Sequence, residues 1–357
     1  MNVVGFDIGG ANTKAAFIST KDGAVTRCQT AFEYFPFWKR NLEQLGDRLS
    51  LLKTAVAGKA ELDCVAATLT AELSDAFRTK REGVDRILDC VGRAFPKTKI
   101  AVLTADARLI SKGDAKAEPL RVAAANWAAT GWMVSQRLRD CVVIDVGSTS
   151  TSIIPIANGR VVAEGKTDLE KLGNGELIYT GSLRTNVAAT VQTVRLRGGL
   201  VRVSSELFAQ TGDIHLVLGN ITAKQYSVET ADGKSKSRTD ALTRVARVVC
   251  ADTEMLTEEE IIQIARYVYA VQVEQIADAL NQVYSRLKEN AKTTVAVVVT
   301  GLGKMFLAKK AAVKAEVRRV IDFDELFAGG SSVASPAVGL ALMAATELEG
   351  KSLEWTL

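Results

Sequence analysis

The sequence predicts an α/β protein built from two similar domains. Short β-branched runs alternate with stretches of helical periodicity along the chain. A strand that ends in an Asp and turns on glycines, VVGFDIGGANTKAAF at 3–17, returns as VVIDVGSTSTSIIPI at 142–156. The 357 residues also exceed what one ordinary domain holds.

Strands are expected at 3–7 and 15–18, on either side of the first glycine turn. Leu42, Leu45, Leu49, Leu52 and Val56 give 41–57 a helical stripe. A strand at 65–69, a helix at 84–95 (Ile87, Leu88, Val91, Phe95) and a strand at 100–103 follow. The Ala-rich stretch 120–137 reads as a helix. Strands at 141–145 and 152–156 flank the second turn. Residues 184–207, with Arg195, Arg197 and Arg202, alternate like strands and suggest a strand-rich lobe inserted around 175–240. Within it ETADGKSKSRTD, 229–240, reads as a loop, either solvated or closing over a ligand. Thr257 caps TEEE at the head of a long helix reaching about 288. A strand at 295–300 follows, and Pro336 opens a last helix to 349. On this reading the first domain is 1–138 and the second 139–335, with 336–357 packing back on the first.

Apolar residues make up 47% and charged residues 24%, enough to bury a large core. A net charge of +4 with scattered basic residues argues against nucleic-acid binding. There is no apolar run of membrane-spanning length, and Asp7 with its glycines interrupts any leader-like pattern, so a cytoplasmic protein is expected. Cys28, Cys64, Cys90, Cys141 and Cys250 form no CxxC pair and read as buried free thiols. His215 is the single histidine, which excludes a zinc cluster of several histidines and reads as a packed or surface residue.

The two hairpins carry the chemistry. Glycines let the backbone come close to a ligand, and successive N–H groups in such a turn form an anion site. Gly9, Gly10, Asn12 and Thr13 supply one set of phosphate donors, and Gly147, Ser148, Thr149 and Ser150 the other. A carboxylate beside a polyphosphate makes sense with a divalent cation between them, so Asp7 and Asp145 are candidate ligands for Mg²⁺. A third element, VVVTGLGKMFLAKK at 297–310, offers Gly301, Leu302 and Gly303 as a flat ledge before a helix N-terminus.

This order of elements resembles the actin/hexokinase/Hsp70 ATPase superfamily. The resemblance implies two actin-like (ribonuclease H-like) domains around a central cleft, binding Mg²⁺ and, in the superfamily's manner, ATP or ADP. TLTAELSDAF (68–77), KREGV (80–84), AAANW (123–127), GELIYTGSLRT (175–185), TADGK (230–234) and RVARVVCAD (244–252) narrow the match. They are similar to the hydantoinase/oxoprolinase-type family linked to tetrahydromethanopterin C1 metabolism. That resemblance implies a step of methanofuran or methylofuran biosynthesis. In it an aminomethylfuran-methyl diphosphate is joined to the phenol of γ-glutamyltyramine, and pyrophosphate leaves. The substrate is then a small molecule carrying a diphosphate. Catalytic roles fall to Asp7, Asp145 and Lys14, with Glu72 or Asp75 as general base; Thr180, Gly181, Arg184 and Lys80 would contact substrate. The chain departs from the family pattern at Ser152, where an Asp is usual, and at Asn186, where a Pro is usual. Two alternatives stand beside this reading. One is an ATP-dependent small-molecule kinase or hydrolase of the same superfamily. The other is a divergent non-catalytic paralogue that acts in a complex; as partners, a homo-oligomer or a complex with a pathway paralogue is expected.

Overall fold

In the computed structural model, which describes residues 1–290, 295–327 and 331–355, each glycine hairpin opens a mixed six-stranded sheet. The first half runs β1 (Asn2–Gly9), β2 (Asn12–Lys21), β3 (Ala24–Tyr34), α1 (Leu45–Ala57), β4 (Cys64–Thr70), α2 (Lys80–Ala94), β5 (Lys99–Leu103), β6 (Leu109–Ser111), α3 (Lys112–Ala117) and α4 (Asn126–Ser135). The second begins with β7 (Cys141–Val146), β8 (Thr151–Ala157), β9 (Arg160–Val161), α5 (Asp168–Gly173), β10 (Leu177–Ile178), α6 (Val187–Thr190), β11 (Thr193–Leu196) and β12 (Gly199–Arg202). It continues through α7 (Thr211–Val217), α8 (Arg238–Arg247), α9 (Glu258–Asn290), β13 (Ala296–Gly301), α10 (Lys309–Lys314), β14 (Val320–Asp322), α11 (Phe323–Leu326) and α12 (Ser335–Glu349).

The sheet orders are β3-β2-β1-β4-β5-β6 and β10-β8-β7-β13-β14, with β9 on β8. In each, an antiparallel hairpin lies beside strands parallel to its first member. This is the actin-like plan, used twice. β1 and β7 are flanked on both edges and covered on both faces, which is why their apolar runs are continuous rather than alternating. Val4, Phe6 and Ile8 of β1 pack with Leu45 and Leu49 of α1 and Ile87, Leu88 and Val91 of α2. The opposite face meets α12 and α4, in a core that also takes Val143 and Ile154 from the second sheet. The last helix thus sits on the first sheet; residues 356–357 of the expected C-terminal segment lie outside the described residues.

The structure departs from the sequence reading in several places. The helix expected over 120–137 is confined to α4, because the chain first makes a turn at Pro119–Arg121 and crosses the end of β4 (Leu69 bridges Ala123) with Ala124 at φ +52°. The lobe after β10 is less strand-rich than expected. Its one hairpin, β11–β12, lies beside α6, α7 and α8 around a core of Val194, Ile214, Val245 and Ile264. β-Branched spacing there reflects burial in a small helical core, which periodicity over short runs does not distinguish from strand. Of the free cysteines, Cys250 is exposed, since it closes α8 at positive φ on the surface. Among the described residues no helix is long and apolar enough to cross a membrane.

Candidate active site

Asp7 and Asp145 occupy equivalent positions on the two central strands. Asp7 pairs across the sheet with Lys14 on β2 and Thr68 on β4; Asp145 pairs with Ser152 on β8 and Thr300 on β13. Lys14 and Ser152 are therefore counterparts, and the departure at Ser152 falls directly opposite Asp145. Asp7 is 3% exposed, with Lys14 Nζ 3.5 Å from Oδ2 and Asn126 Nδ2 donating to Oδ1 at 3.4 Å. Burial pushes the Asp145 carboxyl up to about 6; Asp7 adds to the rise and Lys14 and Lys171 oppose it. The two carboxylates thus feel each other across the gap between the halves.

The turns are fixed from outside. Phe35 and Phe37 N–H donate to Ala11 and Gly10 carbonyls at 2.9 and 3.0 Å. In the second half Ser182 N–H donates to Gly147, and Leu183 and Arg184 N–H to Ser148, at 2.9 to 3.0 Å. A Cβ on Gly181 would stand 2.6 Å from Thr149 backbone, so only glycine lets this segment lie against the turn. Between the turns opens a cavity of about 660 Å³. Asp7, Gly9, Gly10, Asn12, Lys14, Asp75, Gly147, Ser148, Thr149, Ser150 and Arg184 all line it, so the structure brings most of the predicted site together.

Other predicted residues stand behind it. Thr13 is buried beneath the first turn with an unpartnered Oγ1. Thr180 and Gly181 are buried supports: Gln272 Nε2 donates at 2.8 Å to Thr180 Oγ1 and to Gly181 O. Lys80, expected to bind substrate, does not line the cavity; it pairs with Asp168, which does, at 2.8 Å and with Glu72 at 3.9 Å, joining the two halves. The ledge at 301–303 is also corrected. A Cβ on Gly301 would lie 2.4 Å from Val146 O, and one on Gly303 2.5 Å from the Val146 side chain, so the Cβ side of each glycine is taken by the second hairpin. Leu302 joins the lobe core instead, and none of the three lines the cavity.

Glu72 is 1% exposed, does not line the cavity, and has no hydrogen bond on either carboxylate oxygen. Burial raises its carboxyl from 4.5 to about 7, with Lys80 opposing and Asp168 reinforcing. The folded state therefore keeps a proton that the unfolded chain loses earlier, and Glu72 lowers stability as pH rises through that window. Glu72→Gln, with the neutral shape, is expected to match the wild type below pH 4.5. Above about pH 7 it is expected to be more stable by about 2 kcal/mol, read by thermal melts at both ends. Equal melting points at high pH would mean that Lys80 fully compensates the buried charge.

The structure adds residues that sequence reading missed. Trp38 carries the Arg184 guanidinium over its ring at 4.4 Å, and Lys39 pairs with Glu229 beside it; all four line the cavity. Lys171 of α5 is 2% exposed and lines the cavity, with its amine 3.9 Å over the Trp127 ring. Trp127 belongs to AAANW; Lys171 sits in an ordinary helical stretch with no motif to mark it. The loop ahead of α8 reaches the cavity through Glu229, Thr230 and Ala231. It is anchored by buried Arg244, which binds Asp213 at 2.8 Å and Asp232 at 3.1 Å. His215 is fully buried: its Nε2 meets Gln272 Oε1 at 3.0 Å and its Nδ1 meets Asn220 at 3.2 Å, behind the Thr180–Gly181 support.

Comparison with known proteins places this site in context. The profile of the family described as hydantoinase/oxoprolinase matches residues 63–347. The chain is 37% identical over 348 residues to the (4-{4-[2-(γ-L-glutamylamino)ethyl]phenoxymethyl}furan-2-yl)methanamine synthase of Methanocaldococcus jannaschii, covering 97% of this chain and 98% of that one. It is also 37% identical over 221 residues to a protein of the same name from Methanococcus vannielii, covering 61% of this chain and 97% of that one. Among solved structures, a nucleotide-free acetone carboxylase chain superposes with a TM-score of 0.59 at 10% identity, covering 96% of this chain and 70% of that one, a likeness of fold.

Proposed function

The chain belongs to the hydantoinase/oxoprolinase family, and on that premise we propose that it is a cytoplasmic methanofuran-type biosynthetic transferase. It joins an aminomethylfuran-methyl diphosphate to the phenol of γ-glutamyltyramine and releases pyrophosphate. The observation that carries this reading is the match, along almost the whole chain, to a synthase whose name describes that ether.

The cavity is suited to the reaction. Carbon–oxygen cleavage builds negative charge on the departing diphosphate, and donors aimed at that charge accelerate the step. Lys14, aligned by Asp7, and the two glycine turns are placed to take it. Arg184, held over the Trp38 ring and 3.5 Å from Thr149 Oγ1, adds a permanent cation beside the second turn. The aromatic wall of Tyr34, Trp38 and Tyr179 suits the ring of the acceptor.

The donor set also fits Mg²⁺. That ion takes one or two carboxylates plus substrate phosphates and water rather than an all-protein cage. Asp7, which lines the cavity, and Asp145, which stands behind the lining, would supply the carboxylates, while Thr13 and Thr68 hold unpartnered buried hydroxyls beside Asp7's strand. Among the described residues no group of three or more His, Cys, Asp or Glu is gathered as a metal cage. Bound there, Mg²⁺ would neutralise charge on the leaving diphosphate.

The test is direct. The protein is incubated with the furan diphosphate, γ-glutamyltyramine and Mg²⁺, and the ether is sought by mass spectrometry, with a parallel arm supplying ATP. Ether formed without ATP supports the proposal. ATP consumption with no ether would replace it with the kinase or hydrolase reading.

A further inference from the structure

We propose that Lys171 is the general base that removes the acceptor's phenolic proton. This rests on the reaction proposed above.

Lys171 lies in the cavity wall at the junction of the halves, its stem seated so tightly that a Cβ on Gly165 would meet its Cγ at 2.7 Å. Two of the three carboxylates that face it are already engaged. Asp168, on its own helix, is bound by Lys80 at 2.8 Å. Glu176, ahead of β10, accepts the N–H groups of Glu164 and Gly165 at 2.9 Å and is bound by Arg286 at 3.2 Å. Asp145, on β7, acts on it through its field, and Lys14 draws on the same carboxylate. Among the described residues Lys171 itself makes no ion pair. A buried amine without a counter-ion is driven toward its neutral form, which is the form that accepts a proton. Burial lowers its pKa to about 7, with Asp168, Glu176 and Asp145 limiting the fall. The face of Trp127 holds the amine in place and stabilises the ammonium once it forms.

The competing bases are less well placed. Glu72 does not reach the cavity, and Asp75 is exposed at its rim. Lys14 and Arg184 already serve the diphosphate, so a further cation is not what the site lacks. In the step, the phenol O–H proton passes to the Lys171 amine. The oxygen pair forms the bond to the furan methylene. The bond from that carbon to diphosphate breaks, and its electron pair leaves with the diphosphate.

The test measures ether formation against pH for the wild type, Lys171→Arg and Lys171→Met. Each is run with the natural acceptor and with a ring-fluorinated acceptor already ionised at neutral pH. With the natural acceptor both variants are expected to fall by about 10²-fold or more and to lose the wild-type rise near pH 7. With the ionised acceptor both are expected to recover most of the rate. A Lys171→Arg variant at the wild-type rate, or equal losses with both acceptors, overturns the proposal. Should a variant fail to fold, the wild-type profile decides: a rise near pH 7 common to both acceptors overturns it. Trace acetylation against pH, read on the Lys171 peptide by mass spectrometry, reports the amine without the reaction. Early labelling with no ether formed would sink the reaction assignment while leaving the neutral amine standing; labelling only at the pH of surface lysines overturns the base.

Discussion

Asp7→Asn is expected to reduce ether formation by about 10³-fold while leaving the fold intact. Asn has the shape of Asp, and the site is rigid: Asp7 is 3% exposed and fixed between Lys14 and Asn126. The change removes one of the two carboxylates proposed for Mg²⁺ and releases Lys14 from its alignment. A second readout needs no turnover. Mg²⁺ with pyrophosphate at about a hundred times its dissociation constant stabilises a binding protein by about 2.7 kcal/mol. The wild type is expected to show the corresponding rise in melting temperature and the variant to show none. Asp7→Asn working at the wild-type rate, or keeping the full thermal shift, would remove Asp7 from the site and with it the two-carboxylate clamp.

The sequence exposes this clamp because its parts are local. A strand, an Asp, a glycine turn and a returning strand lie within fifteen or so residues, and hydrogen bonding between neighbours sets their geometry. The register pairs Asp7 with Lys14 and Asp145 with Ser152, so the counterparts can be read from spacing alone. What spacing does not give is the partner brought from far along the chain. Lys80 looks like a free cation until Asp168 arrives from the other half. Lys171 looks like one more surface lysine on a short helix until Trp127 and the sheet edges enclose it. Strand β3 is hard to read from sequence because its half-exposed, mixed pattern has little periodicity as an edge strand. The lobe is overcalled as strand for the reverse reason, since short apolar alternation marks any small core. His215 shows the same limit: its count excludes a zinc cluster, but only the fold reveals that it stands behind Gln272 and the Thr180–Gly181 support.

The glycines of the late strand are where the reading from sequence and the fold differ most, and they yield the largest stability effect. Gly301→Ala is expected to destabilise the protein by about 3 kcal/mol, from left-handed backbone strain and overpacking together. Gly301 has φ +86°, and an added Cβ would lie 2.4 Å from Val146 O and 2.6 Å from Asp145 Oδ1. The first contact cannot relax by rotating a side chain, because Gly301 is paired with Val146 in the sheet and Gly303 N–H donates to Val146 O at 3.1 Å; the second yields only if the Asp145 carboxylate turns from its place. Relief requires β13 to move away from β7 at the point where β7 presents Asp145. Loss of stability and loss of the Mg²⁺–pyrophosphate thermal shift should therefore appear together. Gly350→Ala separates the two causes: Gly350 caps α12 at φ +65° with nothing within 4 Å of its added Cβ. That control carries only the strain, about 1 kcal/mol, and should keep the thermal shift. If Gly301→Ala behaved like Gly350→Ala, the glycine would be answering to backbone conformation alone. The open side of a ligand ledge would then again be a sufficient reason for it, and the late strand would return as a place for a nucleotide.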